Sequence, residues 1–108
     1  MNEIKQTEVD QYNLLKPLLS ETYKEMQELS KKKPESVLNT FKVKLINRIL
    51  QPANNLLKNE PTYEFLDLLD SDNLPTNSDV LIIIGQYLKA MDMFIRKYSD
   101  KYGKWNIE

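Results

Sequence analysis

Three aspartates, Asp70, Asp72 and Asp79, fall in and just after the turn-rich run DSDNLPTNS, and their spacing invites comparison with a calcium-binding loop. Such a loop needs oxygen ligands at its first, third and fifth positions, a glycine at its sixth and a bidentate glutamate at its twelfth. Here Leu74, Pro75 and Leu81 occupy the last three of those places, so the pattern fails, and turn and capping chemistry suffices for most of the acids. The carboxylate pairs Glu21/Glu25 and Asp67/Asp70 stand at ordinary helical spacing, and any helical chain with 16 acidic residues contains such pairs. There is no histidine and no cysteine. That removes the commonest acid–base group at neutral pH, thiol chemistry and the usual zinc ligands. No glycine-rich phosphate loop and no HExxH-type helix occurs. The expectation is a protein that is not an enzyme, with no catalytic, cofactor-binding or metal-ligating residues.

Two groups of residues offer binding chemistry instead. Lys31, Lys32, Lys33, Lys42, Lys44 and Arg48 stand against Glu35 alone, a local net charge of +5 over residues 31–48, while residues 60–79 carry −6. The functional reading is two opposite poles, the basic one able to meet phosphate. Without interleaved aromatics, its binding to nucleic acid would be weak and sequence-blind. The plainer reading is two solvated faces that partly neutralise each other, since surface ion pairs contribute under about 1 kcal/mol. The second group is aromatic. Tyr98, Tyr102 and Trp105 are spaced i, i+4, i+7. On a helix that runs on, they form a ridge of the kind enriched at interface hot spots. Alternatively Gly103 ends the helix, the tail folds back, and Trp105 closes the end of the core.

The elements that must position these residues are helical. Tyr12, Leu15, Leu19, Thr22, Met26 and Leu29 alternate at three and four residues, with Leu14, Leu18 and Tyr23 widening the stripe. Pro17 interrupts it and predicts a kink or a fresh start near residue 16. Pro34 and Glu35 suit the first turn of a second helix. Its apolar side is Val37, Leu38, Phe41, Leu45, Ile49, Ala53, Leu56 and Leu57, with Pro52 repeating the problem of Pro17. Thr62 can cap a short third helix that buries Phe65, Leu66 and Leu69. Ser78 or Asn77 caps the last, whose core positions are Val80, Ile84, Tyr87, Leu88, Met91, Phe94, Ile95 and Tyr98. The run Val80–Ile84 has strand character by itself, but the helical period continues beyond it and no partner strand is visible. Gly85 inside that helix predicts close approach by a neighbour.

These elements make an all-α, small up-down helical bundle of three long helices and one short one, a single domain over residues 1–108. Residues 1–7 leave room for a disordered lead-in, and residues 99–108 form either a tail or a helix extension. With 108 residues, 41% of them hydrophobic, the chain can build a core without disulfides or metal. The N-terminus is polar and lacks the pattern of a signal peptide, and the longest apolar run is five residues, so the expectation is a cytoplasmic protein without a membrane partner. Thirteen lysines against two arginines, with ten asparagines, point to an AT-rich prokaryotic or phage source. By exclusion, the function expected is a protein–protein interaction module whose partner is another protein or a second copy. The alternatives are the weak nucleic-acid accessory protein and a bundle holding a small apolar ligand near Gly85, Pro52 or Pro17.

Overall fold

The computed structural model describes residues 2–108 and contains three α-helices and one short 3-10 helix. Helix α1 spans Gln6–Lys32, α2 spans Thr40–Leu56, the 3-10 helix spans Pro61–Phe65, and α3 spans Asn77–Tyr98. The all-α bundle expected from periodicity is what forms, 44 Å long and 24 by 21 Å across. α1 is the centrepiece, packed against both α3 and α2. Residues near the start of α1 and near the end of α2 line one groove, so these two helices are antiparallel. The 3-10 helix and the extended strap 66–70 carry the chain back along α2, and α3 then runs antiparallel to α1. Among the described residues there is no strand, only three isolated backbone bridges.

The core is built by one stripe from each helix: Val9, Tyr12, Leu15, Leu19 and Met26 of α1; Val43, Ile46, Leu50 and Ala53 of α2; Val80, Ile84, Tyr87, Met91 and Phe94 of α3. α2 departs from the sequence reading here. It carries two apolar stripes at helical spacing, and packing buries Val43–Ile46–Leu50–Ala53, leaving Phe41 and Leu45 exposed and Ile49 half-buried. On α1, Leu14, Leu18 and Leu29 are likewise exposed.

Helix boundaries depend on tertiary hydrogen bonds. Pro34 and Glu35 do not start α2, and they form a turn instead. Residues 34–38 are held by the approach to α3: Leu38 N–H donates to Pro75 O at 2.9 Å, Asn77 N–H to Ser36 O at 2.8 Å, and Ser78 N–H to Pro34 O at 3.1 Å. Helix α2 begins only where Asn39 Oδ1 accepts from Lys42 N–H at 2.8 Å. Thr76, rather than Ser78 or Asn77, caps α3, in a capping box with Asp79. Asn77 is buried instead and donates to Lys33 O at 2.8 Å. Thr62 caps nothing, because the 3-10 helix starts one residue earlier at Pro61, and Phe65 faces solvent.

Neither Pro17 nor Pro52 stops its helix; both lie inside continuous elements, so no fresh start occurs near residue 16. The carbonyl freed by Pro17 belongs to Asn13, and both residues are exposed, which leaves water to satisfy it. Pro52 stands four residues before the end of α2, where little helix remains to be disrupted.

The two ends of the chain meet. Of residues 1–7, Met1 lies outside the described residues, Ile4 is buried, and α1 begins at Gln6. Ile4 N–H donates to Asn106 O at 3.0 Å, and Glu108 N–H donates to Ile4 O at 2.9 Å.

Candidate interaction surface

The C-terminal aromatics do not form a ridge, because α3 ends at Tyr98. Asp100 Oδ1 accepts from the N–H groups of Tyr102 and Lys104 at 2.8 and 2.9 Å, and Gly103 takes a positive φ of 81°, turning the chain back. Trp105 then lies edge-on to Tyr12, ring centres 5.1 Å apart, with Tyr12 stacked on Phe94 at 6.0 Å. Tyr98 donates its hydroxyl to Glu60 at 2.8 Å, and Lys97 binds the other carboxylate oxygen at 3.1 Å. Burial, then the Glu60 hydrogen bond, hold the Tyr98 phenol above its usual pKa. Of the three aromatics only Tyr102 faces solvent, at 78% exposure.

The six basic residues are all exposed and divide between two places. Lys31, Lys32 and Lys33 cluster at the end of α1, where cations complement the helix dipole, and Lys31 sits 3.5 Å from Glu28. Lys42, Lys44 and Arg48 lie on α2, which contains no acidic residue. Lys44 and Arg48 share a shallow depression with Ser71, so the acidic segment borders the basic helix. No ion pair joins them among the described residues. The acids Asp70 and Asp79 are engaged in local turns, accepting from Asp72 N–H and Thr76 N–H.

A polar set that sequence reasoning passed over fastens the strap. Asn47 binds both backbone groups of Leu69, accepting from its N–H at 2.9 Å and donating to its carbonyl at 2.8 Å. Two turns further along the same face of α2, Asn54 donates to Leu66 O at 3.2 Å and to the Tyr87 hydroxyl at 3.3 Å. Tyr87 in turn donates to Asp67 O at 2.9 Å, and burial raises its pKa. The signal was present: two asparagines seven residues apart in a helix, where asparagine is a poor former, adjoin the core stripe.

The largest unexplained feature is apolar. Leu14 and Leu18 of α1 are 59% and 44% exposed, and Phe41 and Leu45 of α2 are 69% and 42% exposed. Each pair is spaced i, i+4 and so shares a helix face. The two faces adjoin. Gln11 and Pro52 line a common groove between the helices. Leu18 lies two turns beyond Gln11 and Leu45 two turns before Pro52, so the antiparallel helices bring them to one level beside the same seam. Leu14 and the half-buried Ile49 fill the level between. Glu21 and Glu25, with Lys24 between them in sequence, border this surface on α1, Lys44 and Arg48 border it on α2, and among the described residues none of these five makes an ion pair.

The depressions beside Gly85 and Pro52 are open and lined largely by polar and charged side chains, such as Lys16, Lys89 and Asp92 beside Gly85. Neither supplies the closed apolar hole that a small-ligand bundle asks for. Gly85 instead faces the Tyr23 ring of α1. No helix among the described residues is long and apolar enough to cross a membrane. Comparison of the chain with known protein families, with curated proteins and with solved structures finds no match.

Proposed function

We propose that this chain is a non-enzymatic protein–protein interaction module, and that its contact surface is the outer side of the α1–α2 pair. One observation carries the reading: the exposure of Leu14, Leu18, Phe41 and Leu45, on helix faces that the groove shared by Gln11 and Pro52 sets side by side. The solvent side of a helix in a self-contained bundle is ordinarily polar. Scattered exposed leucines need no explanation, but a continuous stripe bordered by charge resembles the apolar centre and polar rim of an interface. Of the C-terminal aromatics, Trp105 packs on the core and Tyr98 binds Glu60, which leaves Tyr102 alone exposed, so they give less support than their spacing suggests.

The test uses the tagged full chain and its Leu18→Glu variant in pull-downs from the native host, with and without nuclease. Leu18 is exposed, so the variant keeps its fold, which far-ultraviolet circular dichroism checks. The expected outcome is a stoichiometric protein partner, another protein or untagged copies of the chain, that survives nuclease and is lost from the variant. Partners retained equally by the variant would refute this surface. Partners that vanish with nuclease would transfer the function to Lys42, Lys44 and Arg48 and to nucleic acid.

A further inference from the structure

We infer that the occupant of the α1–α2 surface is a second copy of this chain, related by a two-fold axis that runs along the helices and sets α1 of each copy on α2 of the other. The inference rests on the reading of this surface as an interface, and charge decides the partner. An isologous dimer brings the same patch together from both copies, with the axis lying in the plane of contact. Only two simple orientations align the helices. An axis across the helices lays α2 on α2, and that helix carries Lys42, Lys44 and Arg48 with no acidic residue of its own, so like charges face each other. An axis along the helices lays α1 on the partner's α2.

That second arrangement matches both chemistry and level. It sets Leu18 over the partner's Leu45, since those residues stand at one level in each copy. It also brings Glu21, on the outer edge of α1, close to the level of Lys44, on the outer edge of the partner's α2. Glu21 is three residues beyond Leu18, and Lys44 is one before Leu45, so each charge flanks the apolar centre within a turn. Because the axis repeats every contact, the complementarity counts twice. The chain's net charge of −1 adds almost no long-range repulsion between copies. A dimer formed this way is a four-helix layer, with the stripe that each copy leaves open closed by the other.

The experiment is sedimentation equilibrium on the full chain across a concentration series, with circular dichroism on every variant. The wild type sediments as a concentration-dependent dimer. Leu18→Glu weakens association at least about tenfold with helix content unchanged, as expected for an apolar residue central to an interface. Glu21→Lys and Lys44→Glu each weaken it about two- to fivefold, and the two together restore it. A wild type that stays monomeric at every concentration overturns the dimer while leaving the nuclease-resistant, Leu18-dependent pull-down to judge the broader reading. A dimer indifferent to Leu18→Glu, or a charge exchange whose losses add instead of cancelling, overturns the arrangement.

Discussion

Asn47 does for the strap what a neighbouring strand would do. Its amide group presents a donor and an acceptor to the carbonyl and N–H of Leu69, in a segment that has no ladder partner. Leu69 is buried, so its backbone groups have little access to water. Asn47→Ala leaves both unsatisfied and is expected to cost about 2 kcal/mol, the usual penalty for stranding buried polar groups. Chemical denaturation would show this as a lower midpoint at unchanged slope. Asn54→Ala should cost less, since its hydrogen bonds are longer and the Tyr87 hydroxyl keeps its bond to Asp67 O. Such roles are hard to read from sequence, because an asparagine in a helix looks the same whether it faces water or a strap.

At the scale of elements, the helices were legible and their faces were only partly so. The period of apolar residues specified α1 and α3 and the identity of most of their buried side chains. In α2 the same period fitted two stripes, and Phe41, Leu45 and Ile49 match helical spacing as well as Val43, Ile46 and Leu50 do. Only the position of α1 and the strap selects which stripe is enclosed. The helix starts were missed for a similar reason: the backbone of residues 34–38 is occupied by bonds to residues 75–78, which are remote in sequence. Gly85 was legible as a packing position, and its geometry yields a prediction. A Cβ there would sit 3.5 Å from the Tyr23 ring, an ordinary contact distance. Gly85→Ala should therefore stabilise the protein by up to about 1 kcal/mol through the backbone entropy of the unfolded chain. A rise of several degrees in melting temperature is the expected result, and a fall would mean that Tyr23 cannot yield.

At the scale of the whole molecule, the chain closes on itself at one end. Tyr12 from α1, Phe94 and Tyr98 from α3 and Trp105 from the tail share one aromatic cluster. Ile4 and Ile107 are bridged beside it. Trp105 contributes apolar area and edge-to-face contacts, yet part of its surface remains accessible, which reduces the cost of removing it below that of a fully enclosed tryptophan. Trp105→Ala is expected to destabilise by about 2–3 kcal/mol and to lower the melting temperature by roughly 10 °C or more. Partner binding by the remaining folded protein should be unchanged, because the α1–α2 surface does not include Trp105. Loss of binding without loss of stability would return the aromatics to the interface.

The sequence by itself determined the class of this protein: helical periods, few glycines and a chain long enough for one core leave an all-α bundle as the solution. It also shows that histidine and cysteine chemistry are not available to this chain. The tertiary structure decided everything that depends on which face meets which. It assigned Trp105 to a fold-back and gave the strap its asparagine clasps. It also left one of the two stripes on α2 in water. The physical reason is that helix formation is governed by local periodicity, which a sequence displays directly. Burial is governed by the placement of residues tens of positions away, and two stripes of equal hydrophobicity remain equivalent until a neighbour covers one of them.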